Sequence, residues 1–283
     1  MLVNTKKLLI KANNEKYALC QFNINNLEWT KFILEACEIN KAPVILGVSC
    51  GAVKYMGGYN TVFKMVEGLV KDLNITIPVA LHLDHGTDFK ACKQAIDAGF
   101  TSVMIDASQE PLDKNIEITK QVVDYAKSFN IPVEAEIGIL GGEEDGVAGN
   151  ILYAKVDDCL KMVKETKIDS LAPALGNVHG MYKGKPNLNF KRMQEIKENV
   201  KIPLVLHGAS GLSETDIKKA INYGIAKINI NTDLQIAWSK EIRNFLKNNP
   251  NIYDPRKIIK AGENEFKKVI KEKLILTESI NKF

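Results

Sequence analysis

The chain has 283 residues, with 38 Lys and Arg against 34 Asp and Glu, a formal charge of +4 whose two signs are mixed along its length. No basic block or aromatic-interleaved patch is present, which argues against nucleic-acid binding while leaving a modest bias toward an anionic ligand. The five dispersed cysteines form no close pair and exclude a disulfide framework; with no apolar run near the roughly 20 residues of a membrane span and no signal-like start, a cytoplasmic protein is expected.

A chain of this length buries about 75% of its unfolded surface, so one domain over 1–283 is the default. Residues 4–14 predict a short helix over a barrel floor. YALCQFN (17–23) reads as a strand and NLEWTKFILEACEIN (26–40) as a helix; APVILGVS (42–49) is followed by a crossover helix within 53–73. The same alternation gives strands at 77–85, 101–107 and 131–138, with helices at 88–99, 112–130 and 155–166. It ends with strands at 170–176, 202–210 and 225–230, each followed by a helix. Eight short apolar strands, each with its helix, predict a parallel sheet covered on its outer face, and eight such units close into a (β/α)8 TIM barrel. A doubly wound dinucleotide-binding sheet would need a glycine fingerprint after the first strand, and CQFNINNLEW has none. Residues 254–279 form an amphipathic C-terminal extension expected at a subunit interface, and hence a homo-oligomer.

The polar residues concentrate where strands end. Of four histidines, His82 and His85 stand in ALHLDHG, His179 in the loop GNVHG, and His207 in LVLHGASG. His82 and Asp84 share strand parity, as do Glu134 and Glu136, and His85 begins the following loop. A lone histidine in such a place is as readily a hydrogen-bonded core residue. Three from separate strands, beside carboxylates at the C-terminal face of a barrel, point to a metal. His82 is expected to support Asp84 rather than to be a ligand.

In HGASG (207–211), Gly208 and Gly211 allow close backbone approach and Ser210 offers a hydroxyl. In NINTDLQ, Asn229, Asn231 and Thr232 open the last long helix. Asn231 or Thr232 could serve only as a cap; the two loops together form the usual phosphate grip of a barrel. Residues 138–150, GILGGEEDGVAGN, surround a carboxylate triplet with five glycines. They read either as a solvated turn or as a mobile loop carrying Glu143 or Glu144 onto substrate.

The segments LHLDHG, VEAEIG with GGEEDGV, GNVHGMYKG, LVLHGASG, INTDLQIAW and YDPRKIIKAG resemble, in order and over nearly the whole chain, the motifs of class II, metal-dependent fructose-bisphosphate aldolases. The resemblance implies a TIM barrel, usually a dimer or larger, that cleaves a bisphosphorylated ketose, fructose 1,6-bisphosphate, into dihydroxyacetone phosphate and glyceraldehyde 3-phosphate. It implies catalytic Zn2+ on His85, His179 and His207, with Glu136 at an alternative or second divalent position. Asp84 would act on the oxygen at C4 and Glu144 on the proton at the enediolate carbon. Gly180, Lys183, Gly208, Ser210, Asn229 and Thr232 would surround the dihydroxyacetone phosphate end, where a monovalent cation (Na+ or K+) can assist. Arg256 from a neighbouring subunit, with Ser49, would reach the second phosphate. Tagatose-bisphosphate aldolases share this frame, and Asn231, where tagatose-type members typically carry alanine, points to fructose. A metal in place of a Schiff base leaves Lys183 and Lys227 without a covalent role. The readings to be tested against this one are a non-catalytic sugar-phosphate-binding barrel with a structural metal and a metal-dependent phosphatase.

Overall fold

In the computed structural model, which describes residues 2–144, 147–149, 152–180, 184 and 186–283, the eight expected strands close into a parallel barrel. Strands β1 (Leu19–Asn23), β2 (Val44–Ser49), β3 (Val79–Gly86), β4 (Ser102–Ile105) and β5 (Val133–Ile137) follow one another round the wall. Two short strands, β6 (Gly141–Glu144) and β7 (Val147–Gly149), leave it above β5. The wall resumes with β8 (Ser170–Pro173), is capped by the two-residue β9 (Val178–His179), and closes through β10 (Leu204–Leu206) and β11 (Ile225–Ile230) onto β1.

The barrel interior changes character along its axis. At the bottom, Leu19, Ile45, Ala80 and Ala226 pack under Tyr17 and under Leu9 and Ala12 of the helix Thr5–Glu15, the floor helix the sequence predicts. Higher up, the inward positions become polar: Gln21 and Asn23 on β1, His82 and Asp84 on β3, Glu134 and Glu136 on β5, Lys227 and Asn229 on β11, all buried. A glycine at 47 makes room for this layer, because a Cβ there would lie 2.4 Å from the Gln21 amide nitrogen.

Outside the wall, helices Leu27–Ile39, Tyr59–Asp72, Phe89–Ala98, Leu112–Lys127, Val156–Thr166, Phe190–Val200 and Glu214–Asn222 pack side by side. The region 53–73, expected as one helix, is two, Cys50–Tyr55 and Tyr59–Asp72, because Gly57 and Gly58 between them take φ of 94° and 121°. The eighth place in the ring is filled by Glu263–Leu276 from the C-terminal extension, and the helix after β11, Thr232–Asn248, lies against it. The apolar stripe of that helix, expected at a subunit interface, packs within the chain: Phe266, Ile270 and Leu274, at i, i+4 and i+8, are fully buried. Phe266 sits 4.7 Å from Trp29 and 6.0 Å from Phe32, ring centre to ring centre. The Thr277 carbonyl accepts from Ala18 N–H at 3.0 Å, tying the end of the extension to the start of β1. Among the described residues no helix is long and apolar enough to cross a membrane.

Candidate metal centre and active site

Successive residues of a strand point to opposite faces, so Asp84 and His85 should not both reach the barrel mouth. They do because β3 bulges: Leu83 pairs with Val103 and Gly86 with Ile105, three steps against two, and His85 takes a left-handed φ of 47°. His85 therefore belongs to the strand rather than to the loop predicted for it, and the bulge re-aims its ring toward the site.

Two carboxylates the motif reading did not select orient the two imidazoles. His85 Nδ1 lies 2.7 Å from Asp106 Oδ2, and His207 Nε2 lies 3.0 Å from Glu134 Oε1. Asp106 also accepts from the Ser108 N–H and hydroxyl, and its carboxyl stays well below the usual range: burial pushes upward, but the His85 contact and the Ser108 bonds outweigh it. Glu134 is likewise held low, because Lys227 and the His207 bond overcome burial. Ionised carboxylates only accept, so each outer ring nitrogen carries its hydrogen. Burial holds the His207 pKa below its ordinary value, which keeps that ring neutral. The inner nitrogens, His85 Nε2 and His207 Nδ1, then face each other at 2.9 Å.

At that separation one ring can donate to the other, or both can turn to a shared cation. Asp84 joins His85 and His207 with ligand atoms all within 4.8 Å of one another, and His85, Asp106 and Glu136 form a second such group. Glu136 Oε2 is 3.7 Å from His207 Nδ1. Zinc–nitrogen bonds of about 2.0–2.1 Å would set two tetrahedral ligands roughly 3.3 Å apart, a few tenths beyond the observed separation. Nitrogen and carboxylate donors with carboxylate partners behind the histidines therefore fit a borderline divalent ion.

Asp84 is fully engaged as an anion: Asn23 Nδ2 donates to one oxygen at 2.9 Å and Asn229 Nδ2 to the other at 3.1 Å. Burial would raise its pKa, but its charged surroundings, His85 and Lys227 foremost, hold it well below the carboxylate range. Asn229, expected at the phosphate end, is thus turned to Asp84 through its amide nitrogen. His82 supports Lys227 rather than Asp84, with Nδ1 2.8 Å from Ser102 Oγ and Nε2 3.5 Å from Lys227 Nζ.

His179 lies in β9 rather than in a loop. That strand pairs in parallel with β6, matching Gly141 to Val178 and Gly142 to His179, so the glycine-rich segment runs beside it. Gly208 seals the junction: at φ 60° a Cβ would stand 2.0 Å from the Val178 carbonyl oxygen, which only glycine permits. Asn177, a buried residue not singled out from the sequence, donates to the His207 carbonyl at 2.8 Å and accepts from Leu175 N–H at 2.8 Å. These contacts bring the backbone of His179 alongside that of His207. The side chains of His179, Glu143 and Glu144, and the whole of Lys183, lie outside the described residues.

The remaining candidates are spread around the mouth. Ser210 Oγ is 3.4 Å from the Asp233 N–H, linking the loop after β10 to the start of helix Thr232–Asn248. Asn231 precedes that helix without a side-chain cap bond. The buried amide oxygens of both Asn229 and Asn231 have no hydrogen-bond partner among the described residues. Gly180 has φ 80°, and among the described residues no atom lies within 4 Å of where a Cβ would stand. Ser49 pairs with Asp84 in register, and its hydroxyl accepts from Ala52 N–H as the cap of helix Cys50–Tyr55. Arg256 is not gathered in: its side chain is 89% exposed and bound in a fork to Asp254.

Comparison with known proteins gives this geometry a family. Residues 3–282 match the model of "Fructose-bisphosphate aldolase class-II". A fructose-bisphosphate aldolase of Geobacillus stearothermophilus is 56% identical over 270 residues, 95% of this chain and 94% of that one. One from Staphylococcus epidermidis is 56% identical over 274 residues, 96% of each. Among solved structures, the YdjI aldolase from Escherichia coli K12 superposes with a TM-score of 0.86 at 34% identity, covering 99% of this chain and 98% of that one. The chain belongs to the class II fructose-bisphosphate aldolases, the metal-dependent class.

Proposed function

We propose that this chain, acting as a single domain over 1–283, catalyses the reversible cleavage of fructose 1,6-bisphosphate to dihydroxyacetone phosphate and glyceraldehyde 3-phosphate. The observation that carries the reading is the pair of imidazole nitrogens facing each other at 2.9 Å, each backed by a carboxylate, beside a buried ionised Asp84. Relatives at 56% identity bear the name of that activity. His85, His179 and His207 would hold zinc, with Glu136 and Asp106 offering a second divalent position. When bound, the ion supplies Lewis-acid polarisation of the ketose oxygen.

The chain's own residues do the rest. In cleavage, Asp84 takes the proton from the C4 hydroxyl as the C3–C4 bond breaks and its electron pair moves onto the C3–C2–O unit; in condensation it returns that proton. Its two asparagine donors keep it aimed and ionised until then. Glu144 exchanges the proton at the enediolate carbon. Gly180, Lys183, Gly208, Ser210 and Thr232 receive the dihydroxyacetone phosphate end. The partnerless amide oxygens of Asn229 and Asn231 suit a substrate hydroxyl or a Na+ or K+ ion beside that phosphate. Ser49 and an exposed Arg256 from a second copy, in a dimer or tetramer, meet the other phosphate. A cytoplasmic setting accords with five free cysteines.

The test is cleavage of fructose and tagatose 1,6-bisphosphates by the same preparation, before chelation, after it, and after zinc is restored. Fructose-selective activity abolished by chelator and recovered with zinc is expected. Activity that survives complete metal removal overturns the mechanism; tagatose selectivity corrects the sugar and leaves the mechanism standing.

A further inference from the structure

Beneath the metal centre lies a fully buried lysine that the reaction does not use. Lys227 Nζ is 3.0 and 2.9 Å from the two oxygens of Glu134 and 3.5 Å from His82 Nε2. An ammonium has three N–H bonds and no lone pair, and here it meets three acceptors. Its contact with His82 therefore makes Nε2 the acceptor and places that ring's hydrogen on Nδ1, which donates to Ser102 Oγ at 2.8 Å. Its two bonds to Glu134, joined by Ser170 Oγ at 3.3 Å, leave that carboxylate purely an acceptor. His207 must then donate through Nε2 and keep Nδ1 bare on the side of His85.

We infer that Lys227 is a positioning residue that sets the tautomers of two histidines at once, His82 directly and His207 through Glu134, and so prepares His207 Nδ1 to bind the catalytic metal. The inference rests on the metal-site reading above. It assigns Lys227 no covalent role: with all three N–H bonds committed to buried partners, the amine is not presented to a substrate carbonyl.

The test compares the wild-type protein with Lys227→Met, which removes the ammonium at similar volume. Ring-nitrogen NMR of the metal-free protein, with its four histidines, reads the tautomers, and competition against a chelator of known affinity reads the zinc Kd. The expected wild-type result is Nδ1–H on His82 and Nε2–H on His207. In Lys227→Met, His82 reverts toward Nε2–H and zinc binds about 10–100-fold more weakly, the usual cost of losing support behind a metal ligand. A wild-type His82 in the Nε2–H form, or an unchanged zinc Kd in the variant, overturns the inference while the metal site stands. A wild-type protein that binds no zinc overturns both. If Lys227→Met does not fold, Glu134→Gln carries the test: it keeps the shape, removes the anion that holds Lys227 in place, and must weaken zinc binding by a similar factor, an unchanged Kd being fatal.

Discussion

The floor of the active site and its phosphate end are built on opposite principles. On the floor, Lys227, Glu134, His82, Ser102, His207, Asp106 and His85 form a continuous chain of bonds of 2.7–3.5 Å. Buried charge is costly to leave unmatched, and here it is matched from within. At the phosphate end, two buried amide oxygens have no partner among the described residues and the long helix starts without a side-chain cap. Groups that handle protons and metal are fixed before substrate arrives; groups that grip substrate are left for it to satisfy. Damage to the floor should therefore appear in kcat, in metal retention and in stability, and damage to the phosphate end in KM and selectivity.

The sharpest break is Asp84→Asn. General acid–base groups contribute about 10²- to 10⁴-fold, so kcat for cleavage should fall by that range with zinc still bound, as steady-state assay and metal analysis would report. An unchanged kcat would remove Asp84 from proton transfer. Gly208→Ala comes next, because it strikes where floor and loop meet. With φ at 60° and the new Cβ driven onto the Val178 carbonyl, the protein should lose about 1–3 kcal/mol, the scale of a strained backbone position. Thermal denaturation should show Tm lowered by about 2–4 °C per kcal/mol, with zinc held more loosely as the strand bearing His179 is displaced.

The pH dependence of stability sharpens the picture of the floor. Burial first, and Lys227 second, push the His82 pKa down to about 3. The folded value lies below the unfolded value, about 6.5, so between the two the folded state binds fewer protons, and stability falls as pH is lowered through that window. His82 alone accounts for a slope of about 1.4 kcal/mol per pH unit there. Urea midpoints of the metal-free protein from about pH 6.5 to 4 should show that slope reduced in His82→Gln; an identical slope would mean His82 is already charged. The smallest effect is expected from Asn231→Ala, which should lower the fructose-to-tagatose ratio of kcat/KM by about fivefold, the scale of one hydrogen bond of roughly 1 kcal/mol. Equal ratios before and after would sink that assignment.

Much of this was legible in the sequence, and the parts that were not have physical reasons. Eight apolar strands with helices between them specify the barrel, because period and order suffice for a parallel sheet. The histidines at strand ends announced the metal centre. The bulge that turns His85 inward is invisible, since an extra residue in a strand changes register without changing composition. Asp106 and Glu134 looked like ordinary carboxylates; only folding brings Asp106 to His85, 21 positions away, and Glu134 to His207, 73 positions away. Their signal was parity: Glu134 shares its face of β5 with Glu136. Gly208 looked like a ligand-facing glycine, whereas its missing side chain makes room for a neighbouring peptide. The C-terminal helix carries an amphipathic stripe that fits a partner subunit as well as its own chain, and periodicity cannot distinguish them.

That last helix sets a schedule for the molecule's birth. Helix Leu27–Ile39 is among the first to leave the ribosome, yet the residue that covers Trp29 and Phe32, Phe266, is made near the end. At about 5–20 residues per second, roughly ten to fifty seconds separate the two. During that interval the nascent barrel carries an open seam of aromatic surface, a ready target for chaperones, and a chain stopped before residue 263 would keep that seam for its lifetime.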